Sequence, residues 1–216
     1  LTVTNLSSAI IVNSTNTLTI HGTLTGPGSS GNDLISGTGT IVLKKTSDIV
    51  LSGWWNSTSF ENIIFDPGTG NTVYLDPSGA WCYVSNTGKI TIASGILNMS
   101  GTGGITKLGC ISSNGGTLEI SEGATLTMGG ASSIDAAGST SNRVGTLNIY
   151  GTLIQNSGTI SAATFTIGTA GLFKPCVSWN FFGATPTTFT CNGTTEYAAN
   201  GGQNIVAGHY NKLVLS

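Results

Sequence analysis

A repeat of nearly constant length runs through the middle of the chain and restricts its fold more than any other feature. Gly88-Lys-Ile-Thr-Ile92, Gly116-Thr-Leu-Glu-Ile120 and Gly145-Thr-Leu-Asn-Ile149 share one pattern, and their leading glycines recur at spacings of 28 and 29. Gly95, Gly123 and Gly151 follow at spacings of 28 and 28, and Gly130 and Gly158 are again 28 apart. Leu18-Thr-Ile-His-Gly-Thr-Leu24 resembles Ile90-Thr-Ile-Ala-Ser-Gly-Ile-Leu97. A self-similar unit of this length cannot bury an apolar face alone and is stable only when stacked on its neighbours.

Within a unit the apolar residues alternate with polar ones, as in Leu118 and Ile120, then Leu126 and Met128. Period two is the signature of a half-buried strand, and helical spacing is absent. Glycines and Ser/Asn clusters between the strands supply corners with tight bends or positive φ. The pattern predicts an all-β chain, a parallel β-helix or β-solenoid of ~28-residue coils, each with two or three short strands stacked about 4.8 Å apart. The length of 216 residues then gives seven or eight coils. A β-sandwich of antiparallel strands is the alternative, and the fixed period favours the solenoid. Residues 1–175 form the predicted solenoid. Residues 176–216 form a C-terminal β segment that either continues it or makes a subunit contact. In that segment Tyr210-Asn-Lys-Leu-Val-Leu-Ser216 echoes Phe60-Glu-Asn-Ile-Ile-Phe-Asp66.

Composition narrows the function. Only 7% of residues are charged and the net charge is −2, yet 38% are apolar. Disorder requires low hydrophobicity with high net charge, so the chain reads as folded, with a neutral surface of hydroxyls and amides. The seven basic residues are scattered, with only Lys44 and Lys45 adjacent. Nucleic-acid binding needs a basic patch, and none is present in the sequence. No apolar run approaches the roughly 18 residues of a membrane-spanning helix. The first residue is Leu1, as expected of a chain whose signal peptide was removed or of a fragment of a longer one. N-x-[S/T] sequons at Asn5, Asn13, Asn56, Asn98 and Asn192 are candidate glycosylation sites. Together these features point to an extracellular or cell-surface location.

The Gly-Thr-Leu-x-Ile steps (Gly116 to Ile120, Gly145 to Ile149) resemble the β-helical shafts of filamentous-haemagglutinin-type adhesins. The closing Gly202-Gln-Asn-Ile-Val-Ala-Gly-His-Tyr-Asn-Lys-Leu-Val-Leu-Ser216 resembles modules repeated in very large secreted bacterial surface proteins. The resemblance implies a shaft-like surface protein and carries over no catalytic residue.

Cys82 and Cys110 are 28 apart, one period, and Cys176 and Cys191 are 15 apart. Stacking at about 4.8 Å falls inside the Cα separation of a disulfide. The expected pairing is therefore Cys82–Cys110 with Cys176–Cys191, against the alternative of four buried thiols. No C-x-x-C pair suggests a metal site, and no cofactor is implied.

The nine acids are Asp33, Asp48, Glu61, Asp66, Asp76, Glu119, Glu122, Asp135 and Glu196. Some parallel β-helices are polysaccharide lyases or hydrolases with convergent acids and bases. Here Asp66-Pro-Gly and Asp76-Pro-Ser-Gly read as turns, and Glu119 and Glu122 as one strand and its corner. His21 and His209 lack a nucleophile signature. The reading is that the chain is not an enzyme. Trp54-Trp55, Trp81 and Trp179-Asn-Phe-Phe182 stand out as candidates for sugar stacking, or for filling corners and subunit contacts. Alternating threonines (Thr2/Thr4, Thr15/Thr17/Thr19, Thr23/Thr25, Thr125/Thr127, Thr164/Thr166) match flat arrays that bind ice. They also match plain β-propensity, and their sequence spacing is irregular.

A solenoid exposes strand edges at both ends, and soluble solenoids cover them with polar caps. No cap motif is visible. The expected partner is another copy of the chain, joined head to tail by strand addition into a filament, with surface glycans as a further partner. The contact residues would be Leu1, Val3, Ile10, Ile11 and Val12 at one end, with Leu213, Val214 and Leu215 at the other. A carbohydrate-binding or carbohydrate-active β-helix is the alternative function.

Overall fold

In a computed structural model of the chain, the described residues are 10–13, 15–21, 35–44, 49–56, 61–99, 107–110, 113–136, 142–177, 182–199 and 201–216. They form no helix. In chain order the first strands are β1 (Ile10–Ile11), β2 (Thr17–Ile20), β3 (Ile35–Ser36), β4 (Thr40–Leu43), β5 (Ile49–Asn56), β6 (Asn62–Phe65) and β7 (Thr72–Val84). Then follow β8 (Lys89–Ile92), β9 (Ile96–Met99), β10 (Lys107–Cys110), β11 (Gly115–Ile120), β12 (Thr125–Met128) and β13 (Ser133–Ala136). The last are β14 (Val144–Ile149), β15 (Thr152–Gln155), β16 (Thr159–Ile167), β17 (Leu172–Pro175), β18 (Phe182–Ala184), β19 (Thr188–Tyr197) and β20 (Tyr210–Leu215).

Eighteen strands belong to one continuous sheet, β1 and β3 pair separately, and every pairing among the described residues is parallel. Parallel pairing of each strand with one a full coil away is what a solenoid requires and a sandwich forbids. Three ladders run along the molecule. The first stacks β2, β4, β6, β8, β11, β14, β16 and β19. The second stacks the first part of β5 and β7, then β9, β12, β15, β17, the end of β19, and β20. The third stacks the end of β5 and β7, then β10, β13, the start of β16, and β18. The C-terminal strands join these ladders: β18 pairs with β16, β19 with β16 and β17, and β20 with β19.

The expected constant period is corrected by the register. Along the first ladder, partners differ by 22 (Ile41 and Ile63), 27 (Ile63 and Ile90), 28 (Ile90 and Leu118), 29 (Leu118 and Leu147) and then 18 (Leu147 and Phe165). Along this ladder the core holds the register constant, while corners absorb the insertions and deletions. The regular period is therefore the property of the middle coils only.

The core is a stack of like on like. Ile41, Ile63, Ile90, Leu118, Leu147 and Phe165 form one inward rank, and Leu43, Phe65, Ile92, Ile120, Ile149 and Ile167 the next, each at most 1% exposed. Burying each such side chain contributes about 1.5–3 kcal/mol. Toward the C-terminal end the aromatics concentrate: the Phe165 ring lies 5.1 Å from Phe173, 5.4 Å from Phe182 and 5.6 Å from Phe189. Gly95 shows why corners need glycine. Its φ is +63°, and a Cβ there would meet the Gly68 carbonyl oxygen of the preceding coil at 2.5 Å.

Candidate functional site

Outward-facing positions of the first ladder form two ranks over eight strands. One rank holds Thr at six of eight positions and the other at four of eight, including Thr164 and Thr166 on β16 beside Thr188 and Thr190 on β19. Thr17 and Thr19 of β2 lie on this same face, whereas Thr125 and Thr127 of β12 lie on the second. Thr2, Thr4, Thr23 and Thr25 fall outside the described residues. The array is invisible as a sequence spacing because the coils differ in length. Chemically it is a surface rich in hydroxyl and methyl groups, interrupted by Asn62, Val42, Ile64 and Asn148 and, at its centre, by Lys89 and Glu119, which pair at 2.9 Å.

Half of the few charges tie one coil to the next. Lys44 reaches Asp66 at 3.4 Å, Lys174 reaches Glu196 at 2.8 Å, and Lys107 reaches Asp135 at 3.3 Å. With Lys89 and Glu119 these pairs engage four of the seven basic residues. The hydrogen bond from Lys174 to Glu196 holds the ammonium above its ordinary value. Asp66 also accepts a bond from Ser94, whose hydroxyl oxygen accepts the Gly68 N–H, so this Asp braces a turn as expected. The expected turn at Asp76-Pro-Ser-Gly is corrected: these residues lie inside β7. Opposite β5 the register shifts between Leu75 and Ala80, so β7 takes up its extra residues as a bulge within one strand. Glu61 accepts a bond from Thr87 at 3.4 Å. Glu122 is exposed at the corner after β11, while Asp33 and Asp48 lie outside the described residues. His21 and His209 are exposed beside β2 and β20, near opposite ends of the solenoid. Among the described residues no three His, Cys, Asp or Glu side chains converge to hold a metal ion.

One charged pair differs from the rest. Asp135 is fully buried and Lys107 is 6% exposed. Tyr83 donates its hydroxyl to Asp135 Oδ1 at 2.7 Å, and Ser133 donates to Oδ2 at 2.8 Å. Tyr83, Gly109 and Asp135 occupy one rank on three successive coils. Glycine at the middle coil leaves the gap that the phenol spans, and a Cβ at Gly109 would lie 1.8 Å from the Asp135 carbonyl oxygen. Sequence reading missed this cluster because β10 and β13 are buried on both sides and show no alternation.

The expected disulfides are not formed; all four cysteines are free. Partners on β7 and β10 differ by 26, so Cys82 pairs in register with Leu108 and Cys110 with Val84. The two cysteines are thus two positions out of register. Cys110 instead donates to the Gly115 carbonyl at 2.8 Å. Cys191 sits in register with Ile167 and bonds the Gly193 carbonyl, whereas Cys176 follows β17 and bonds Lys174 O. Burial pushes the Cys82 thiol up to about 12 and raises that of half-buried Cys176.

Asn13 and Asn192 are exposed and Asn98 is half-buried on the outer face of β9; Asn56 lies in β5, and Asn5 is outside the described residues. Trp54 and Trp81 are in register on β5 and β7. Trp179 is outside the described residues, and half-buried Phe182 packs its ring edge-on against Phe165.

At the C-terminal end β20 pairs with β19 along one edge. Leu213 and Leu215 are 40% and 66% exposed, and Val214 is half-buried. Gln203 donates to the carbonyls of Pro175 and Val177 and so pins the segment leading into β20. Tyr197 and Tyr210 share a hydroxyl contact of 3.1 Å, and burial drives the Tyr210 phenol well above its ordinary value. At the other end Leu1 and Val3 are outside the described residues, and Ile10 and Ile11 pair with β3. Val12 is buried in the chain's own core, so it drops out of the expected contact set.

Comparison with protein-family models, curated proteins and solved structures gave no significant match. Among the described residues no helix is long and apolar enough to cross a membrane.

Proposed function

We propose that this chain is a rigid shaft element of an extracellular or cell-surface structure, extended by coil-on-coil stacking of copies of itself. The observation that carries the reading is β20, which hydrogen-bonds to β19 along one edge while Leu213 and Leu215 stand exposed beside the other. Strand addition there would provide main-chain hydrogen bonds in the parallel sense already used by every rung, and among the described residues β2 pairs along one edge only, with β4. Such a head-to-tail contact is heterologous and builds a fibre unless its rotation closes a ring. Pairing of Asp66, Glu119, Asp135 and Glu196 with lysines supports a structural role over a catalytic one.

The threonine ranks of the first ladder favour a second, compatible role. Such an array of hydroxyls suits adhesion to a hydroxyl-rich polymer such as a surface glycan.

Sedimentation velocity over a concentration series, with electron microscopy of the same samples, tests the shaft reading. The chain should form rods that lengthen with concentration, and Leu215→Lys should leave monomers with unchanged β-type circular dichroism. A chain that stays monomeric at every concentration overturns the proposal.

A further inference from the structure

The buried cluster of Tyr83, Lys107, Ser133 and Asp135 plays no part in the shaft contact, and its geometry matches a chemical reaction. An ion pair withdrawn from water gains little over an apolar filling, so its retention in a fully covered position is unexplained by stability alone. Lys107 Nζ lies 3.3 Å from Asp135 Oδ2, the oxygen bonded to the carboxyl carbon that an amide would join. Both carboxylate oxygens are held by hydroxyl donors, Tyr83 on Oδ1 and Ser133 on Oδ2. The carboxylate is 0% exposed, so bulk water does not contact it in the folded chain.

We infer that Lys107 and Asp135 condense to an intramolecular amide, covalently joining neighbouring coils. The ammonium first passes one proton to Oδ2, leaving a neutral amine and a carboxylic acid. The Nζ lone pair then forms a bond to Cγ, and the C=O π pair moves onto Oδ1, where the Tyr83 hydroxyl already points and stabilises the developing charge. A second proton passes from Nζ to the Oδ2 hydroxyl. The Cγ–Oδ2 bond breaks, water departs, and the Oδ1 pair restores the carbonyl. Of the three ammonium hydrogens one remains on the amide and two leave in the water, with no oxidant or other reactant required. Fixed placement of the two groups raises their effective concentration, and burial protects the amide from hydrolysis.

The linked residues are 28 apart, so the cross-link does between β10 and β13 what the sequence suggested a disulfide would do between β7 and β10. It is insensitive to reductants. The inference rests on the solenoid register and not on the chain's polymerisation.

Intact mass spectrometry under denaturing conditions, on chain made in bacteria so that no N-glycan interferes, is the direct test. The expected mass is one water below that of the sequence. Trypsin should leave the bond after Lys107 uncut and release a branched peptide joining the segments that contain residues 107 and 135. Lys107→Arg and Asp135→Ala should each carry their full sequence mass. Followed by mass over time in chain recovered unfolded from inclusion bodies and folded for the first time, Tyr83→Phe should slow the loss of water at least tenfold, a readout that a purely structural role for the phenol would not move. The full sequence mass in the unsubstituted chain overturns the inference, and so does water loss without the branched peptide. Neither outcome depends on a variant folding.

Discussion

Replacing Phe165 by Ala removes the ring at the centre of the C-terminal core. Phe165 is fully buried, and three aromatic rings surround it within 5.6 Å, those of Phe173, Phe182 and Phe189. Truncations of this kind cost about 3–5 kcal/mol, part transfer free energy and part residual cavity. Each ring pair lost adds roughly 0.5–1.5 kcal/mol beyond area. The partners belong to three different strands, each fixed by its own ladder, so collapse of the cavity is limited and the upper end of the first range is expected. Thr166 next to it points outward on the same strand, and Thr166→Ala should change stability by no more than about 0.5 kcal/mol. Because coils couple only to their neighbours, the damage should be local. Hydrogen exchange should quicken in β14 to β19 and stay unchanged in β4 to β8, with the denaturant midpoint falling in parallel. A loss below about 1 kcal/mol for Phe165→Ala, set against the usual cost of such truncations, or equal losses for the two variants, would refute the inward and outward assignment and the register behind it.

Two further outcomes follow from the thiols and the threonine face. Unreduced, denatured chain should titrate four thiols; in the folded chain Cys176 should react first, while Cys82, with its pKa near 12, should stay inert at pH 8. Because the Cys82 pKa is raised on folding from 9.0 to about 12, its protonated form favours the folded state: the contribution is intact below pH 9, and stability should fall as pH rises from there toward 12. Comparing Cys82→Ala with the parent over that range isolates it, and parallel pH curves would contradict the burial. On an array of surface polysaccharides, Thr166→Lys with Thr190→Lys should abolish retention without altering circular dichroism; undiminished binding would place adhesion elsewhere.

The alternation of Leu118 and Ile120 with polar neighbours was enough to read inward ranks, because a strand with one buried face writes its period directly into the sequence. Coil length was legible only where successive corners happen to match, at Gly88, Gly116 and Gly145. Elsewhere corners vary freely, since they bear no core residue, and a small shortening between β7 and β10 was sufficient to misplace Cys82 against Cys110. The same variability hid the threonine ranks. Lys107 and Asp135 were unreadable for another reason: their strands are covered on both sides, and nothing local in Lys-Leu-Gly-Cys or Ser-Ile-Asp-Ala distinguishes a buried ion from a surface one.

Strands that lie across the long axis set the direction in which the molecule is strong. Every ladder hydrogen bond points along that axis, so a force spread over a whole end face is shared at once by all the bonds of a rung. A force applied through the chain itself meets only the outermost coil and peels it, one strand after another. A link between neighbouring coils at Lys107 and Asp135 would arrest such peeling midway, leaving the coils on either side to unwind and rewind as separate springs.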